Sequence, residues 1–141
     1  MASRLYLRNV MRAPNNPTAK FILHELDLSL STQLCRAADS YRLAFYPSSS
    51  TSECLALAGR LHADGIFCSA EPGECRNLLT LMNGRGLHMP VVVVSRIPEV
   101  SEWLGAIEAG AVDYCAAPFE RRDISWVVQS MLLASQHPHV S

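Results

Sequence analysis

Pro90-Val91-Val92-Val93-Val94-Ser95 is the stretch that decides the fold. Valine is stiff at χ1 and suits the pleated backbone of a strand. Four valines in succession leave no polar face, so both faces of this strand must be covered. Burial on both sides marks a parallel sheet, whose crossover helices lie over its two faces.

Working outward, the neighbouring segments alternate between strand and helix patterns. Downstream, Pro98 suits a first helical position, Glu99 to Ala109 reads as a helix, and Gly110 ends it. Val112 to Ala116 is a strand. Arg121 to Ala134 is a helix with Ile124, Val127, Val128 and Met131 on one face. Upstream, Gly65 to Cys68 is a strand, and Pro72 to Met82 is a helix stopped by Asn83-Gly84.

Further back, Phe21 to His24 reads as a short buried strand, and Asp27 or Ser29 can cap a helix reaching about Ala38. Tyr41 to Tyr46 is a strand expected to stop at Pro47. Ser50-Thr51-Ser52-Glu53 has the pattern of a capping box, opening a helix that carries Leu55, Ala58 and Leu61. Five strands alternating with five helices through short connections give the α/β class, as a doubly wound parallel sheet. In such sheets functional groups gather at the carboxyl edges of the strands. Those edges hold Glu25 and Leu26, Ser69, Ser95 and Arg96, and Ala116 and Ala117.

With 141 residues, 49% of them apolar, the chain has one domain's worth of material and needs no staples. A net charge of -1 gives no overall pull toward nucleic acid or an anionic membrane. No run approaches the roughly 18 apolar residues of a membrane span. The five cysteines Cys35, Cys54, Cys68, Cys75 and Cys115 are odd in number and lack zinc spacing. A cytoplasmic location with buried thiols is the expectation. Cys68 and Cys115 are expected on neighbouring parts of the sheet, with Cys75 not far off, as small hydrophobes rather than a redox or metal centre.

The breaker cluster Ala13-Pro14-Asn15-Asn16-Pro17 sets off residues 1–19, which read as a flexible arm. An added helix or strand, or a partner-binding segment, are the alternatives. The domain then spans 20–135, and 136–141 is a tail holding His137 and His139.

Gly110-Ala111-Val112-Asp113-Tyr114-Cys115-Ala116-Ala117-Pro118-Phe119 resembles the response-regulator receiver signature Gly-Ala-x-Asp-Tyr-x-x-Lys-Pro-Phe. Met89 to Ser95 is similar to that family's Pro-Val-Ile-x-x-Ser/Thr strand. Ala63 to Ser69 is similar to its Pro-Asp-Leu-Val-Leu-Leu-Asp strand, and Ile22 to Leu30 more loosely to its first strand and acidic turn. The resemblance covers Lys20 to about Ala134. It implies a flavodoxin-like sheet of order 2-1-3-4-5, and a cis bond before Pro118.

The resemblance also implies a phosphorylation site, and most of that site is missing. Ser69 stands where the phosphoacceptor Asp belongs, and a hydroxyl cannot form an acyl phosphate. Ala117 stands at the lysine position. The only lysine, Lys20, begins the first strand, away from this edge. Of the acidic pair Glu25 remains, with Leu26 at the second place and Asp27 as a substitute if the alignment slips by one. Ser95 and Tyr114 keep the switch positions. Electrostatic neutralisation dominates phosphoryl transfer, so these losses are serious. Weak or absent Mg²⁺ binding is expected, and no other cofactor.

Arg96 and Glu71 are the candidate charge substitutes: Arg96 is expected to lean into the vacated pocket and pair with Glu25 or Glu71. Glu71 is also an ordinary first-turn acid, and Ser69 an ordinary strand-end serine. The family's interaction face would carry Glu102, Trp103, Glu108, Arg121, Arg122, Asp123 and Trp126 here. Trp103 is expected to be the more exposed tryptophan. The expectation is a non-enzymatic, phosphorylation-independent receiver that acts as a dimerisation or interaction module in two-component signalling or transcription regulation. It would be a stand-alone adaptor or the receiver part of a larger protein, with no nucleic-acid or membrane contact of its own. A working phosphoacceptor using Glu71 or Asp64, and a small-molecule sensor or enzyme on a flavodoxin-like sheet, are the competing readings. No Gly-rich phosphate loop follows the first strand to favour the last of these.

Overall fold

The computed structural model describes residues 19–38, 42–69, 74–96 and 100–136. The expected arm up to residue 18, Glu71, Pro72, Pro98, and the tail with His137 and His139 lie outside them. Among the described residues there are five strands: β1 (Ala19–His24), β2 (Leu43–Ser48), β3 (Gly65–Ser69), β4 (Val91–Ser95) and β5 (Asp113–Ala116). They alternate with helices α1 (Leu28–Ala37), α2 (Thr51–Leu61), α3 (Glu74–Gly84), α4 (Val100–Glu108) and α5 (Arg121–Gln136). All strands are parallel, in the order β2-β1-β3-β4-β5. The doubly wound sheet and its predicted order are therefore present.

The valine run explains itself. Val92 and Val94 enter one core layer, with Leu30 and Leu34 of α1 and Ile124, Val127, Val128 and Met131 of α5. Val91 and Val93 enter the other, with Cys54, Leu55 and Ala58 of α2, Leu78 and Met82 of α3, and Ala106 of α4. Successive residues of a strand point to opposite faces, so an unbroken apolar run feeds two cores at once. In the first layer Phe21 packs edge-on against Phe67, with ring centroids 5.6 Å apart.

Helix ends follow local chemistry. Asp27 is the N-cap of α1, its carboxylate accepting from the Leu30 amide at 2.9 Å. At α2, Ser50 accepts from the Glu53 amide at 3.1 Å, while the Glu53 carboxylate reaches back to the Ser49 amide at 2.7 Å. That is the predicted box, with its return bond one residue earlier.

Four expectations need correction. β1 starts at Ala19, placed in the arm above; it is buried and in register with Leu43. β2 runs through Pro47 to Ser48. It is an edge strand, where a missing amide costs no ladder bond on the open side. α3 includes Asn83 and Gly84, two residues beyond the expected end at Met82. The chain turns at Gly86 (φ 70°), with Leu87 N bonded to Met82 O and Gly86 N to Asn83 O. This is a Schellman ending, and Gly110 (φ 110°) closes α4 with the equivalent bonds to Ala106 and Ile107. Finally, Cys68 and Cys115 lie in opposite core layers, not as neighbours.

Gly65 stands at a close approach. A Cβ there would stand 2.3 Å from the Met131 Cε and 3.2 Å from the Phe21 ring. A side chain at the start of β3 would therefore make Met131 shift beneath α5, while Ser69 stands at the far end of the same strand.

Candidate functional site

The parallel sheet brings the ends of β1, β3, β4 and β5 to one edge. Ser69 and Ser95 are both buried there, on the adjacent strands β3 and β4. Ser95 is in register with Ala116, and its carbonyl accepts from the Ala117 amide at 2.8 Å. The Ala117–Pro118 bond is cis, as expected. Tyr114 is partly buried against the layer of α2, α3 and α4.

Glu25 is exposed and left-handed (φ 62°), and its amide is bonded to the Ser48 carbonyl at 2.9 Å. A non-glycine residue in that region is uncommon and costs conformational energy. Leu26 and Ala117, at the positions of the second acid and the lysine, are partly buried and packed on the core layer of α1 and α5.

Arg96 donates to the Asp27 carboxylate, in an ion pair with both side chains about half exposed. The expected partners were Glu25 or Glu71. Glu71 lies outside the described residues, and the carboxylate that Arg96 meets is Asp27. One oxygen of Asp27 caps α1 and the other takes the guanidinium. Burial pushes the Asp27 carboxyl up. The Leu30 amide, the Arg96 hydrogen bond and charge, and the Ser29 amide outweigh that and hold it below the usual value. The cap was legible as an Asp before a helical pattern. The ion pair, across 69 residues of sequence, was not.

Asp64 lies at the opposite edge of the sheet. Its carboxylate accepts from the Lys20 amide at 2.9 Å, and its own amide donates to the Lys20 carbonyl at 2.7 Å. Lys20 is therefore remote from Ser69, as expected, and so is Asp64.

A feature missed in the sequence runs beneath this edge. His24 is fully buried at the end of β1, with Nδ1 2.9 Å from the Ser48 hydroxyl. It stands in register between Ser48 on β2 and Cys68 on β3. A histidine closing an apolar strand was the available signal. Among the described residues no group of three His, Cys, Asp or Glu side chains is placed to hold a metal ion.

On the flank, Glu108 of α4 and Arg121, Arg122 and Asp123 of α5 are exposed. Trp126 is 68% exposed. It lines a shallow groove of about 410 Å³ with Tyr114, Ala116, Arg122 and Asp123. The side chains of Glu102 and Trp103 lie outside the described set, so the comparison of the two tryptophans does too.

No family model matches this sequence, and no curated protein does. Solved structures do match. A protein assigned as a response regulator, from Chloroflexus aurantiacus J-10-fl, is 21% identical and aligns with a TM-score of 0.70 over 84% of this chain and 99% of its own. The fold is the receiver fold. NtrX from Brucella abortus matches with a TM-score of 0.71 at 17% identity, over 84% of this chain and 27% of that longer protein. The chemotaxis response regulator CheY4 of Vibrio cholerae gives 0.66 at 14% identity, over 81% and 98%. On that receiver fold, Ser69, Leu26 and Ala117 occupy the strand ends described above. No described helix is long and apolar enough to cross a membrane.

Proposed function

We propose that this chain is a phosphorylation-independent receiver in two-component-type signalling, working as a protein-interaction module rather than an enzyme. The observation that carries this reading is the packing of Leu26 and Ala117 against the core, at the strand edge where Ser69 is buried. A phosphoryl group brings roughly two negative charges, and its transfer needs cations to offset them. Here two of the charge-bearing positions are hydrophobic, and the acceptor position offers only a hydroxyl. Mg²⁺ requires several oxygen ligands in octahedral array. Glu25 with Ser69 is too small a donor set, and Asp27 is engaged by Arg96. The residues therefore do not fit the ion.

The Arg96–Asp27 ion pair supports a further part of the reading. It joins the β4 edge to the start of α1 with a cation of the protein's own. The partner surface is the flank of α4, β5 and α5, and the proposed occupant is a second copy of this chain. Support comes from Leu104 and Ile107 on α4 and Trp126 on α5, all exposed apolar side chains. Tryptophan in particular is enriched at binding hot spots.

Incubation with acetyl phosphate and Mg²⁺, followed by intact mass measurement, tests the first part. An unchanged mass is expected; a stable adduct of one phosphoryl group would overturn the reading. Sedimentation velocity tests the second: a concentration-dependent dimer is expected, and a monomer at all concentrations would remove it.

A further inference from the structure

Cys68 and Cys75 stand on either side of the connection that leaves Ser69. Cys68 is the penultimate residue of β3 and fully buried; Cys75 is the second residue of α3 and 8% exposed. Both belong to the core layer of α2, α3 and α4, and the Cys68 thiol is hydrogen-bonded to Cys75. The other three cysteines lack this arrangement. Cys54 shares the layer but bonds to Ser48, while Cys35 and Cys115 lie in the opposite layer.

Their chemistry differs as their geometry does. Burial pushes the Cys35 and Cys115 thiols up to about 12 and Cys54 to about 11. The hydrogen bond from Cys68 holds Cys75 below the ordinary thiol value, although burial opposes it. The thiolate is the form that attacks disulfides, so Cys75 is the nucleophile of the set.

We infer that Cys68 and Cys75 form a reversible intramolecular disulfide, with a low-molecular-weight disulfide such as oxidised glutathione as the oxidant. The Cys75 thiolate attacks one sulfur of the oxidant, making a mixed disulfide and expelling one thiolate. Cys68 then loses its proton to solvent and attacks the Cys75 sulfur, expelling the second thiolate. The protein loses two hydrogens, and the oxidant is reduced to two thiols. Bond formation draws the sulfurs from hydrogen-bond contact to about 2.05 Å. Cys75 sits in the first turn of its helix, where ends yield more readily than the middle. The bond fastens the Ser69 end of β3 to α3. This inference goes beyond the proposed function and does not rest on it.

The test uses the full chain, folded, in a graded series of oxidised and reduced glutathione. Each sample is acid-quenched, unfolded, alkylated and digested with trypsin. Arg60 and Arg76 flank the two cysteines, so both fall in one peptide, Leu61–Arg76. Under oxidising conditions this peptide is expected to lose two hydrogens and take no alkyl group. Cleavage after Glu74, which lies between the two cysteines, should leave its halves joined until dithiothreitol is added. The peptides holding Cys35, Cys54 and Cys115 should alkylate fully. A Cys68→Ala chain should instead accumulate a lasting glutathione adduct on Cys75. Two alkyl groups on Leu61–Arg76 across the whole series, or a bond from either cysteine to Cys54, would overturn the inference. The wild-type digest decides even if the variant does not fold.

Discussion

The guanidinium of Arg96, one residue past β4, donates to the carboxylate of Asp27, which also caps α1. One acid therefore serves two elements that are far apart in sequence, and the two services are separable. Asp27→Asn keeps a capping oxygen and loses the ion pair. Asp27→Ala loses both and should cost about 0.5–2 kcal/mol, the range for a lost cap. With both partners about half exposed, solvent screens the ion pair, and a double-mutant cycle with Arg96→Ala should give a coupling of about 0–1 kcal/mol. Urea unfolding of wild type, the single variants and the double variant measures each quantity.

The same carboxylate gives a pH dependence of known sign. Its folded-state pKa is lowered, so it binds a proton less readily folded than unfolded. Its contribution is complete above the ordinary aspartate value of about 3.9 and is lost as pH falls through the folded value. The stability advantage of wild type over Asp27→Asn should hold at neutral pH and shrink in acid below about pH 4. An advantage that instead grew in acid would contradict the capping and pairing geometry.

Gly65→Ala should destabilise the domain by about 1–3 kcal/mol, the usual range for overpacking. The new methyl would meet Met131 Cε and the Phe21 ring, so Met131, fully buried, would have to repack. Shortening the obstacle with Met131→Ala should reduce the further cost of Gly65→Ala. Thermal unfolding of the two singles and the double reports this.

Trp126→Ala separates interface from core. Its side chain is 68% exposed, so monomer stability should change by no more than about 0.5 kcal/mol. If the proposed dimer uses it as a hot spot, the loss is about 2 kcal/mol or more, roughly 30-fold in Kd. Sedimentation equilibrium alongside unfolding distinguishes the two effects.

Thiol reactivity at pH 8 should be graded. Cys35 and Cys115, pushed up to about 12, and Cys54, up to about 11, remain protonated and buried in the folded chain. Cys75 should react first with a disulfide reagent such as DTNB, and the others only on unfolding. Stopped-flow absorbance with peptide mapping identifies the fast site.

The alternation of elements, the four-valine strand and the caps at Asp27 and Ser50 were all legible in the sequence, because periodicity and capping are local. So were the residue types at the strand ends, Leu26, Ser69 and Ala117, because residue type needs no coordinates. Distances across the sheet were not legible. Arg96 was expected at Glu25 or Glu71 and meets Asp27, 69 positions away, because strand order and crossover length set which edge residues face each other. Cys68 and Cys115 read as neighbours, yet strand parity and register place them on opposite faces, while Cys68 meets Cys75 instead. Pro47 read as a strand end, but an edge position accommodates it. Residue type set which side chains stand at each strand end. Register and the face of the sheet decided which of those residues meet, since both arise only when all five strands are laid side by side.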